Sequence, residues 1–141
     1  MIKHGPVDVV ILAAGEPRFD GSVFAELKRQ ADSGTIRVLD AMLLFKDEVG
    51  MRASLDLEDL PPEMKKAVGF IETGTRGMFD SADAATLFEG MVPGSAVCAL
   101  AIEHVWAVKL VNAIHDAGVE LAMNIRVPAP VVDEAFASLG Q

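Results

Sequence analysis

Apolar residues along this chain occur in two kinds of run. In "VDVVILAA" (residues 7–14), "IRVLDAMLLF" (36–45) and "SAVCALAIE" (95–103) they fill odd and even positions alike, the pattern of strands covered on both faces. Elsewhere they alternate. Met51, Ala53, Leu55 and Leu57 are separated by Arg52, Ser54 and Asp56, and further on Val119, Leu121, Met123, Ile125 and Val127 share one parity while Glu120, Asn124 and Arg126 share the other. Alternation predicts strands with one wet face, the first of them joined to its predecessor as a hairpin through "KDEVG".

Between these runs the spacing turns helical. Phe24, Leu27 and Ala31 predict a helix in "SVFAELKRQADSG", with Gly34 ending it in the left-handed conformation. Asp59 before Pro61 and Pro62 signals a helix start that "EMKKAVGFIET" continues, and "SADAATLFEGM" follows with Ser81 as its cap and Pro93-Gly94 as a turn. In "HVWAVKLVNAIHDAG" a stripe of Trp106, Leu110, Ala113 and Ala117 ends at Gly118, and in "PVVDEAFASL" Val132, Ala135, Phe136 and Leu139 form a docking stripe.

Two units of strand, helix, glycine and strand therefore recur, over residues 7–44 and 95–127, each implying a parallel pair with a right-handed crossover. A chain of 141 residues suits one domain, residues 1–141. Helices on both faces would give an open doubly wound α/β sheet of order 3-2-1-4-5, with the alternating strands at its edges. Helices on one face would give an α+β ferredoxin-like sandwich with an added helix-strand-helix tail, its other face left to a second subunit.

Composition narrows the partners. The hydrophobic set is 51% and charged residues 23%, as in chains that fold. Twelve basic residues scattered among twenty-one acids, a formal charge of −9, argue against nucleic acid and against anionic membranes. No apolar run approaches the roughly 18 residues that span a bilayer, and "MIKHGPVD" lacks the hydrophobic stretch of a secretory signal. A soluble, cytoplasmic protein is expected. Cys98, the sole cysteine, lies in an apolar strand and reads as a packing residue.

Asp40 interrupts the second apolar run on the face of Val38 and Met42, where an unpartnered charge would cost several kcal/mol. Three arrangements satisfy it: an ion pair with Arg37, Lys109 or Arg126, hydrogen bonds to backbone at a bulge, or a place in a ligand pocket. Glu103, His104 and Trp106 cluster at a strand-to-helix junction, where ligands often sit in parallel α/β sheets. A pocket there would use Trp106 as a wall and Glu103 as a polar handle; the plain alternative is a carboxylate at a helix N-terminus and a core tryptophan. Were the first and fourth strands parallel neighbours, "GEPRFDG" would add Glu16, Arg18 and Asp20; a ferredoxin-like order makes them antiparallel. His104 and His115, eleven residues apart, cannot ligate one metal, and His115 suits a helix C-terminus. No phosphate loop, nucleophile elbow or zinc-binding histidine pair occurs, so no cofactor and no metal is expected.

At "GPVDVVILA", "SGTIRVLDAMLLFKDEVG", "VPGSAVCALAIEHVWAVKL" and "AGVELAMNIRVP" the chain resembles a family of small uncharacterised bacterial proteins. It is similar, more distantly, to stress-associated proteins that carry a glycine-zipper membrane hairpin in a ferredoxin-like domain. The resemblance implies the ferredoxin-like fold, and the family's recurrent polar or aromatic positions match Asp40, Lys46, Asp47, Glu103 and Trp106. Between residues 61 and 80 Gly69, Gly74 and Gly77 remain, but Glu63, Lys65, Lys66, Glu72 and Arg76 make a bilayer hairpin untenable. The function expected is a non-catalytic structural or regulatory module linked to stress, acting as a homo-oligomer. The alternative is a small-molecule binder or enzyme with a pocket enclosing at least two of Glu103, Trp106 and Asp40.

Overall fold

The computed structural model describes residues 3–14, 22–55, 57–60, 62–71, 78–120 and 122–140. Strands β1 (Val7–Ala14), β2 (Arg37–Lys46), β3 (Arg52–Leu55) and β4 (Ser95–Glu103) form one sheet of order β1-β4-β2-β3 in which every neighbouring pair is antiparallel. Helices α1 (Ser22–Asp32), α2 (Pro62–Val68), α3 (Ser81–Gly90), α4 (Val108–Asp116) and α5 (Ala129–Ser138) complete a mixed α+β fold.

The doubly wound alternative is overturned, because no neighbouring strands run parallel. β1 and β2 do share a direction, but β4 lies between them, a split crossover. The second expected unit lacks its closing strand. Among the described residues of 119–127 none is in a strand, so the tail is helix, irregular segment, helix. Both edges of β4 are already taken by β1 and β2, and alternation without an edge to pair with does not make a sheet.

Two layers cover the sheet. On one face Phe24 and Leu27 of α1 and Val68 of α2 pack with Val38, Ala41, Leu43, Cys98 and Leu100. On the other, Ala84 and Phe88 of α3, with Met91, pack on Met42, Leu44, Val97 and Ala99. Helices thus lie on both faces, not on one as a two-layer sandwich would have them. The α3 layer stops short of the edge, leaving Val7, Val9 and Ile11 of β1 exposed.

A β-bulge between Val38 and Asp40 inserts Leu39 and reverses the parity of the strand before it. Val38 therefore faces α1 while Asp40 shares the α3 side with Met42 and Leu44, which corrects the face assignment made from the unbroken pattern. Cap residues also differ from expectation. Asp80, not Ser81, caps α3, and the Asp80 and Asp83 side chains accept each other's backbone N–H in a capping box. At the other end of α3 the Lys46 ammonium donates to the carbonyls of Phe88 (3.1 Å) and Met91 (3.0 Å), satisfying acceptors that a helix end leaves open. β3 lasts only four residues before Leu57–Asp59 turn into a 3-10 helix, which carries Leu57 into the core.

Candidate functional site

The end of β4 gathers most of the polar residues. Glu103, 3% exposed, accepts hydrogen bonds from the Gly5 N–H (2.9 Å) and from Arg37 Nη2 (2.6 Å) and Nε (3.0 Å), with His4 Nδ1 3.8 Å away. Burial raises its pKa, but Gly5, Arg37 and His4 together outweigh that and hold the carboxyl below its usual range. Gly5 is required by proximity. A Cβ there would meet the His104 carbonyl, its carbon at 2.8 Å and its oxygen nearer still, while the His104 N–H donates to Pro6 O at 2.8 Å. The start of β1 is thereby clamped to the end of β4.

His104 begins a second cluster. Its Nε2 lies 2.7 Å from Asp8 Oδ2, and the Trp106 indole N–H donates to its Nδ1 at 3.3 Å with the rings edge to face. The indole N–H thus occupies Nδ1 as acceptor, while Nε2 lies between the Asp8 carboxylate and Arg126 Nη2, the latter at 3.2 Å. Arg126 pairs with the same Asp8 carboxylate. Beside this cluster an open cleft of about 800 Å³ is lined by His4, Asp8, His104, Trp106, Ile114 and Arg126, among others.

The resemblance and the pattern singled out other residues, which are dispersed. Asp40, 5% exposed, accepts the N–H of Ala41 at 2.9 Å and of Phe79 at 3.1 Å, so it is bonded to backbone at the bulge and ties the sheet to the segment leading into α3. Two of the cations weighed for it have other carboxylates: Arg37 has Glu103 and Arg126 has Asp8. Asp47 accepts from Val49 and Met51 and builds the hairpin. Of Glu103, Trp106 and Asp40, Trp106 alone lines the cleft, short of the two a ligand pocket was expected to enclose. Trp106 itself is 58% exposed and not a core residue.

Helix α4 starts at Val108, after a 3-10 turn over Val105–Ala107, so His104 and His115 do not share a continuous helix. Cys98 is fully buried, and burial pushes its thiol up to about 12. Glu16, Arg18, Asp20, Gly74 and Gly77 lie outside the described residues. Among those described, no group of three or more His, Cys, Asp or Glu is placed to hold a metal ion, and no helix is long and apolar enough to cross a membrane.

Sequence reasoning missed Gly5 and Asp8, and weighed Arg126 for Asp40 where its carboxylate is that of Asp8. Asp8 carried a readable signal, a single acid in "VDVVILAA"; Gly5 and Arg126 act through contacts distant in sequence. Taken together, the fold and its polar network define a small α+β protein whose charged residues bind chain segments to one another. The chain belongs to a family of unknown function, DUF6325, whose model matches residues 3–140. No curated protein and no solved structure matches it.

Proposed function

We propose that this chain is a non-catalytic structural or regulatory module of the bacterial cytoplasm, folding as one domain of ferredoxin-like kind and working as a homo-oligomer without nucleic-acid or membrane partners. The observation that carries the reading is the occupation of the polar groups. Asp40, Lys46, Asp47 and Glu103 each hold backbone, and Trp106 holds His104. The Asp8–His104 pair has the composition of a general-base dyad, yet its Nδ1 lone pair is engaged by an indole N–H and not directed at a reacting proton.

Uncovered apolar residues support assembly, above all Val9 at 61% and Met123 at 74% exposed. The ferredoxin-like assignment is supported by the order strand, helix, strand, strand, helix, strand and by split crossovers; the central positions are held by β2 and β4 where such a sheet has its first and third strands. A link to stress follows from the resemblance alone.

Native mass spectrometry of the full chain purified from its host tests the reading. A dimer or larger species without a stoichiometric small molecule is expected; a monomer at micromolar concentration overturns the assembly. The cleft favours a second reading, small-molecule binding, because its size and mixed lining fall within the range of ligand sites. A stoichiometric co-purified compound, with a change in the fluorescence of the single tryptophan, Trp106, would favour it.

A further inference from the structure

The C-terminal arm, residues 119–139, has the sequence of buried structure, yet its described residues have almost no burial. Ile125 is 70% and Leu139 72% exposed, and α5 contains no buried residue. A helix of ten residues is too short to persist in water on propensity alone. The arm needs cover, and the sheet offers one fitting edge. β3 is only four residues long, whereas β1 has eight residues, a free edge, and Val7, Val9 and Ile11 exposed on the face that α3 does not reach.

The two match in register. In an antiparallel alignment that keeps Arg126 opposite Asp8, its ion-pair partner, Val127 falls across from Val7, Ile125 from Val9 and Met123 from Ile11. The apolar parity of the arm then coincides with the exposed apolar parity of β1, as cross-strand pairing requires. Within one chain the arm meets only the start of β1, where Arg126 pairs with Asp8 and Met123, Asn124 and Ile125 line the cleft beside Val7; the full register is out of its reach. An antiparallel arm must enter at the Ala14 end of β1, roughly 23 Å from Val7 for a strand of this length. Val111 and Ile114 of α4 line the cleft together with His4 and Asp8, so α4 ends near the Val7 end. The three steps from Asp116 to Val119 extend about 10 Å at most.

We propose that the occupant is a second copy of this chain: residues 119–127 add a fifth strand to β1 of the other copy, and α5 covers its open apolar side. The inference rests on the homo-oligomer reading and names its surface. Exchange is reciprocal, since each chain offers one arm and one edge, so it closes as a two-fold dimer in which the free edge of each β1 is paired. Two arms of this length supply the roughly 20–30 residues a side of a standard interface.

The test mixes full-length chains carrying distinguishable tags, one with Val9→Cys and the other with Ile125→Cys. Both sites are exposed, so folding is retained, and the buried Cys98 thiol does not compete. Under mild oxidation the mixture is expected to form a disulfide-linked heterodimer at least tenfold faster than a control mixture of Ala13→Cys with Ile125→Cys, which is out of register. A native dimer that shows no such preference overturns the arm exchange and leaves the homo-oligomer reading standing. A chain monomeric at every concentration overturns both.

Discussion

The sheet with its two helical layers and the C-terminal arm are written in the same sequence language and end in opposite states. Positions 38–44 of β2 are all buried, whereas Val119, Met123, Ile125 and Val127 stand in solvent. The difference is not hydrophobicity. β2 has β3 and β4 at its edges and helices above and below, while the arm follows a helix anchored at the end of the sheet and meets only the start of β1, through Arg126 and the cleft lining. An apolar pattern reports the capacity to be buried; topology within one chain decides whether that capacity is used.

Truncation should separate the regions most strongly. Leu44→Ala, at a site with no exposure, is expected to cost about 3–4 kcal/mol in urea unfolding, against less than about 0.5 kcal/mol for Leu139→Ala at dilutions where the chain is monomeric. Similar losses would mean that α5 packs on its own sheet.

Glu103→Gln comes next, at about 2–3 kcal/mol at pH 7, because it removes the charge that Gly5 and Arg37 address while Arg37 retains partial hydration. The folded pKa of Glu103 lies below the ordinary glutamate value of 4.5, so this contribution is complete above that value and fades as pH falls through the folded pKa. The gap between variant and parent should be constant from pH 7 to about 5.5 and narrow in more acidic solution; a gap that widens there would refute the assignment.

Lys46→Met should cost about 1 kcal/mol, loosening the C-terminal end of α3, with faster hydrogen exchange confined to the last turn of that helix. Trp106→Phe is expected to change stability by less than about 0.5 kcal/mol, since the indole is exposed and its single bond to His104 is long. A larger loss would show that the cleft wall is packing and not surface.

Much of the body was legible because local chemistry decides it. Each of the four strands that form sits within an apolar or alternating run, and Gly34 and Gly94 adopt the left-handed conformation that their turns demand, at φ of 80° for both. The antiparallel relation of β1 to β4 also agrees with the ferredoxin-like expectation. What escaped was non-local. Nothing near Asp40 in sequence announces that Phe79 will supply its second donor, and nothing near Glu103 names Gly5, 98 positions away. The capping box on α3 was readable in principle from Asp80 and Asp83, but Ser81, one residue too late, competes for the same role. The tail misled because alternation, as at 119–127, makes a strand only where the chain can lay it along a free edge.

The bulge at Leu39 has a consequence for how tolerant this sheet is to changes of length. One additional residue rephases the strand, so that a carboxylate appears beneath the α3 layer while the positions on either side keep the α1 layer filled. Deleting Leu39 would alter no charge and remove one aliphatic side chain, yet it would turn Asp40 toward Phe24 and Val68 or drag every preceding residue to the wrong side. In this protein the count of residues between Arg37 and Ala41 is as strict a specification as their identity.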